Sequence, residues 1–179
     1  MQTFAKPGRF VTDPGFDAKR TQALQTLVLS EIDAPIRGLI ERFSKLQCCF
    51  TLQSCFGHFV HGEAPLTDNL EPLPDHDVGV IRYRMAYLAL CIKNDGSGRR
   101  LYAALEKVQS ADPQYVQLGS PWWFWERQVN SFALQVEPSR YAFQDQVDVG
   151  YAEALHLQKV RNRFFQDLED VVHEQINDE

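Results

Sequence analysis

The chain has 179 residues, 44% of them hydrophobic and 23% charged, proportions that fit one globular domain and exclude a fibrous or disordered protein. Its net charge of -6 leaves no general attraction to phosphate, so any nucleic acid would have to find a local basic patch. No apolar run reaches the roughly 18 residues a membrane span needs, and MQTFAKPGRF lacks a signal peptide's apolar stretch, which predicts a cytoplasmic address, no membrane partner and reduced thiols at Cys48, Cys49, Cys55 and Cys91.

Leu24, Leu27 and Val28 recur at helical spacing, with Asp17 as an early acid, and predict a first helix over residues 16–31. Asp33 precedes Pro35, after which Ile36, Leu39, Ile40, Phe43 and Leu46 step by three and four; this is an amphipathic second helix. At residue 49 the period changes to two, giving a strand over residues 49–56 with Phe50, Leu52 and Phe56 on one face and Cys49, Thr51, Gln53 and Cys55 on the other. Gly57 interrupts it, as glycine does at a bulge or where backbone approaches a ligand.

Residues 63–77 hold five acids, three prolines and no Lys or Arg, the composition of an exposed acidic loop. Residues 78–93 read as one long strand, or two broken near Arg84. The NDGSG turn then leads into a helix over residues 99–109 through Leu101, Leu105 and Val108. Further strands are expected at 116–119, 122–126 and 129–136, and a last, longest helix carries Tyr151, Leu155, Val160, Phe164, Leu168, Val171 and Ile176. The order predicts a single α+β domain over residues 1–179: a mixed β-sheet covered by helices, with a long C-terminal helix.

Chemistry concentrates in KLQCCFTLQSCFGHFVH, residues 45–61. Cys55, His58 and His61 are ligand types that zinc accepts, yet a regular strand puts His58 on the face opposite Cys55 and His61, so no metal is expected unless the chain bends at Gly57. A thiolate at Cys55 would need a positive neighbour across the same bend, and an inert buried thiol is the expected state. Ser54 breaks an apolar face and must find a partner. Trp122, Trp123 and Trp125 follow Pro121; on a strand Trp123 and Trp125 would share a face, for core packing or for stacking a purine. Arg82 with Arg84, Arg99 with Arg100, and Lys159 with Arg161 and Arg163 read as solvated faces, as does Asp75-His76-Asp77.

Residues FTLQSCFGH, behind a helix that starts at Asp33, resemble the signature Thr/Ser-x-Ser-Ser-Cys-Ser-Gly-Arg of the tRNA methyltransferases that act late in wybutosine synthesis, and of their archaeal relatives. Thr51, Ser54, Cys55 and Gly57 keep the pattern; Gln53 and Phe56 replace serines, and His58 stands where the family has arginine. The stretch Asn130 to Glu137 is similar to the family's later Asn-initiated strand. The resemblance implies S-adenosylmethionine as cofactor, held at Thr51, Ser54, Cys55 and Gly57, methyl transfer to a ring nitrogen of a guanosine in tRNA, and Asn130 near the acceptor. His58 would contact an anion or accept a proton, and Trp123 or Trp125 would stack the base. An imidazole lacks the permanent charge and planar fork of a guanidinium, so the same anion need not bind. The rival expectation is a binding module for a partner or small molecule that kept the scaffold without the chemistry, dimeric through its terminal helix.

Overall fold

The computed structural model describes residues 5–62, 69–141 and 144–178. Its elements in chain order are α1 (Phe16–Thr26), α2 (Arg37–Phe43), β1 (Cys49–Cys55), β2 (His58–Val60), β3 (Val80–Arg84), β4 (Ala86–Ile92), α3 (Gly96–Ala111), β5 (Val116–Gly119), α4 (Trp122–Trp125), β6 (Ser131–Val136), β7 (Gln146–Gly150) and α5 (Tyr151–Asp178). This is an α+β fold with a long C-terminal helix. Its strands form two antiparallel sheets, ordered β1-β4-β6-β5 and β2-β3-β7.

The two sheets are joined by bent chain segments. β1 pairs with β4 and β2 with β3, so the connection through Phe56 and Gly57 and the connection through Met85 leave one sheet for the other side by side. Of the two readings open for residues 78–93, the one with two strands holds, and the break falls at Met85. Tyr83 stitches it: its hydroxyl donates to the Val136 carbonyl at 2.9 Å and accepts from the Ala86 N–H at 3.0 Å. Buried phenols need such partners, because an unpaired hydroxyl in apolar surroundings costs about 1–3 kcal/mol.

Helix α1 is shorter than its sequence suggests, ending at Thr26 rather than continuing to residue 31. The Thr26 hydroxyl turns back onto the Gln22 and Ala23 carbonyls, Leu27 and Val28 are extended, and only a 3₁₀ turn remains at Leu29–Glu31. Arg37 supplies the alternative to helical bonding by donating to the Leu29 and Ile32 carbonyls. At the head of α3, the Asp95 carboxylate accepts the Gly98 N–H at 2.8 Å, which starts the helix earlier than residue 99.

The segment 122–126 is a correction: it is the one-turn helix α4, not a strand. Pro121 sets the turn, its carbonyl accepting from the N–H groups of Phe124 and Trp125. Packing overrides the β-propensity of three tryptophans. Trp125 stands edge-on to Phe132, while Trp122 is 54% exposed. The even alternation along β1 also fails, because the register shifts between Thr51 and Gln53, which re-aims every side chain after the shift.

The core lies between the sheets and helices α2, α3 and α5. Helix α2 contributes Leu39, Ile40 and Phe43; α3 contributes Leu101 and Leu105; α5 contributes Leu157, Phe164, Leu168 and Val172. Each such side chain stabilises the fold by about 1.5–3 kcal/mol through burial. Of the charged triplet on α5, Lys159 and Arg163 are exposed as expected. Arg161 is not: it is 3% exposed and faces the joint between the sheets. No helix among the described residues is long and apolar enough to cross a membrane.

Candidate functional site

The site is made by the bend after β1. Gly57 takes φ +85, a left-handed conformation suited to glycine, and a Cβ placed there would lie 2.7 Å from the Ala86 Cβ and 3.0 Å from its backbone nitrogen. The turn brings Cys55 and His58 to the same side, although strand alternation would have separated them. Asp33 joins them from the loop before α2. Its Oδ2 accepts the Phe56 N–H at 2.7 Å instead of capping the helix, and lies 3.7 Å from His58 Nε2.

Each of the three side chains is oriented by main chain. The His58 ring is 5% exposed, and its Nδ1–H donates to the Asn69 carbonyl at 3.3 Å, leaving Nε2 directed at Asp33. Cys55 Sγ accepts the Gly57 N–H at 3.4 Å. Burial pushes the Cys55 thiol up, an effect the Gly57 N–H reduces and the Asp33 charge increases. One ligand atom from each of Asp33, Cys55 and His58 lies within 4.8 Å of the others, the one His/Cys/Asp/Glu cluster of this kind among the described residues. His61 is outside it. The Asp33 side chain, 24% exposed, marks where solvent reaches the cluster.

Cys55 pairs across the sheet with Tyr87, and Tyr87 borders a cavity of about 290 Å³ on that face. Trp123 and Phe124 of α4 form its aromatic wall, Ala133 its floor, and Gln53, Gln135 and Asp145 contribute polar atoms. The Gln135 amide donates to the Glu137 carboxylate, so this end of β6 holds a buried polar pair. An aromatic wall with nearby amides suits a planar heteroaromatic ring, which needs stacking surface and edge hydrogen bonds.

The remaining signature residues go elsewhere. Thr51 and Ser54 border a separate groove of about 510 Å³ with Leu27, Val28, Glu31 and Ile32, and neither buried hydroxyl has a hydrogen-bond partner. The Gly57 main chain is closed rather than open, since Arg161 Nη1 donates to its carbonyl at 3.1 Å. The same guanidinium lies 4.0 Å from the Phe56 ring centre and 5.0 Å from that of Phe59. Thus Cys55 and His58 are brought together, Thr51 and Ser54 form a second pair, and Gly57 serves as the pivot between them.

Trp123 lines the cavity, but Trp125 does not share its position: it packs on Phe132 and against Gly8, where an added Cβ would meet the indole at 2.5 Å. Asn130 is fully buried with φ 61, its side chain accepting from the Val11 N–H and donating to the Val11 carbonyl, both at 2.9 Å. It clamps the N-terminal segment and does not line the cavity. Asp33 and Tyr87 carry no site reading in the sequence, Arg161 reads there only as part of a solvated basic triplet, and Gln135 only as part of the stretch similar to the family's Asn-initiated strand. Only Gln135 carried a local signal, a polar residue among apolar neighbours on a buried strand.

No family model and no curated protein matches the chain. Among solved structures, the PH1069 protein from Pyrococcus horikoshii is similar with a TM-score of 0.50 and 15% identity, over 91% of this chain and 94% of that one. A hypothetical protein from Aeropyrum pernix is similar with a TM-score of 0.45 and 12% identity, over 80% of this chain and 96% of that one. At 15% identity the first likeness speaks for a shared fold and nothing finer.

Proposed function

We propose that this protein is an S-adenosylmethionine-dependent methyltransferase whose acceptor is a modified purine in tRNA, the reading that FTLQSCFGH supports by resemblance. The observation that carries it is the cavity bordered by Tyr87, the cross-strand partner of Cys55, where Trp123 offers a stacking face and Gln53 and Gln135 offer amides. Methyl transfer asks little covalent chemistry of a protein. It needs the sulfonium, methyl and acceptor nitrogen held in line with water kept out, and such positioning supplies much of the rate. A cavity walled by aromatic rings and edged with amides suits that need, and Trp123 is the residue that would stack the base.

A second reading, a non-catalytic binding module on the same scaffold, is favoured by one observation. The Gly57 carbonyl, which the signature would leave open for a guest, is already engaged by Arg161. Calorimetry with S-adenosylmethionine separates the two. Micromolar binding that weakens on His58→Ala and Gln53→Ala supports methyl transfer; no binding at millimolar cofactor supports the module. Transfer of labelled methyl to undermodified tRNA, lost on Trp123→Ala, then tests the acceptor.

A further inference from the structure

We infer that Asp33, Cys55 and His58 form a three-ligand site for a borderline divalent cation, zinc being the ion whose chemistry fits them best. A carboxylate, a thiolate and an imidazole are ligand types zinc takes, and three protein ligands with a fourth position open is the arrangement of reactive rather than structural zinc. Zinc bonds of about 2.0–2.3 Å set tetrahedral edges near about 3.3–3.8 Å. His58 Nε2 and Asp33 Oδ2 stand 3.7 Å apart, and all three ligand atoms lie within 4.8 Å of one another, so a small closure of Cys55 completes the triangle.

The surroundings add an independent argument. A metal-ligating histidine donates its other ring N–H to a carbonyl or carboxylate, which fixes the tautomer and aims the lone pair. His58 does this through Nδ1–H and the Asn69 carbonyl. Asp33 is held by the Phe56 N–H and Cys55 by the Gly57 N–H, so all three ligands are oriented by backbone before an ion arrives. Among the described residues no N–H or O–H donor is bonded to His58 Nε2. A carboxylate, a sulfur and a ring nitrogen face one another, an arrangement a cation satisfies. An unbent strand would hold Cys55 and His58 on opposite faces, and φ +85 at Gly57 bends the chain so that they meet.

The fourth position opens toward the exposed side of Asp33, where water or a ligand oxygen or nitrogen would bind. The ion site stands independently of methyl transfer. Protein that binds S-adenosylmethionine but no metal defeats the ion alone; protein that binds metal but not the cofactor defeats the other reading alone.

The test is titration of reduced, chelator-treated full-length protein with Co²⁺, followed by displacement with Zn²⁺. One equivalent of Co²⁺ should bind with a thiolate-to-cobalt charge-transfer absorption that Zn²⁺ abolishes. Cys55→Ser should remove the absorption, and Asp33→Asn and His58→Gln should each weaken binding by roughly tenfold to a hundredfold. Asp33→Asn keeps an oxygen for the Phe56 N–H, so it reports even where another variant does not fold. An absent charge-transfer band in the parent protein, a band that survives Cys55→Ser, or Co²⁺ affinity unchanged in Asp33→Asn overturns the inference.

Discussion

Arg161 on α5 donates from Nη1 to the carbonyl of Gly57, 104 residues earlier, at 3.1 Å. The guanidinium is 3% exposed, and burial lowers its pKa to about 10. Its described partners are the Gly57 carbonyl, the Asn162 side chain and the Phe56 and Phe59 rings. It ties the terminal helix to the pivot between the sheets.

Removing this tie tests how much the pivot depends on it. Arg161→Ala leaves a void and an unpaired Gly57 carbonyl and should cost about 3 kcal/mol in urea unfolding. Arg161→Met fills the volume and avoids the expense of burying a cation, so it should recover more than half of that loss. Equal losses in the two variants would mean that packing contributes little.

Gly57→Ala should be worse than an ordinary glycine substitution. The positive φ costs about 1–2 kcal/mol for a residue with a Cβ, and contact with Ala86 adds to it, for a total of about 3 kcal/mol or more. Gly62, also at positive φ but with nothing near its Cβ position, is the control and should lose only the first part. The difference between the two unfolding midpoints is the measurement.

Asn130→Ala removes both hydrogen bonds to Val11 and places a less tolerant residue at φ 61, for a loss of about 2–3 kcal/mol. Amide exchange at Val11 should accelerate strongly. Asn130→Gly relieves the backbone strain yet leaves Val11 unpaired, so exchange there should stay fast while part of the stability returns.

Alkaline pH should weaken the fold. Burial pushes the Cys91 thiol up to about 12 and Tyr102 up to about 12, and it raises the Cys55 thiol too. For an acid whose folded pKa is raised, the folded state holds more protons than the unfolded chain. Its stabilisation is complete below the unfolded thiol value near about 8.5 and is lost as pH climbs toward the folded value. Urea midpoints should therefore fall between pH 8 and pH 10, by less in Cys91→Ala. A midpoint independent of pH over that range would refute the linkage.

The raised Cys55 pKa also predicts that iodoacetamide alkylates this residue more slowly than a free thiol at neutral pH. Bound zinc should slow it further. Peptide mapping after timed alkylation reads both effects, and a fast-reacting Cys55 would point to a nucleophile instead.

Helices α2, α3 and α5 were legible in the chain because their apolar spacing acts over a few residues, whereas the Asp95 cap that starts α3 before residue 99 was not. For residues 78–93 the pattern allowed one strand or two, and the structure decides for two, β3 and β4. β2 and β7 were not legible: β2 has three residues beside the acidic stretch, and β7 carries exposed Gln146 and Asp148 on a sheet edge, so neither shows a hydrophobic alternation. The six residues 63–68 of the expected acidic loop lie outside the described ones, while Asp75 and His76 are exposed as their composition implies.

Local pattern singled out Cys55, Gly57 and His58, since an unusual glycine in a strand is visible without a fold. What no reading of neighbours supplies is who meets them. Asp33 arrives from 23 residues before the amide it binds and Arg161 from 104 residues after the carbonyl it holds, contacts set by how two sheets bend past each other. The tryptophans show the converse. Their chemistry was evident from sequence, but whether they packed or lined a cavity was settled when Pro121 turned the segment into a helix and divided Trp123 from Trp125.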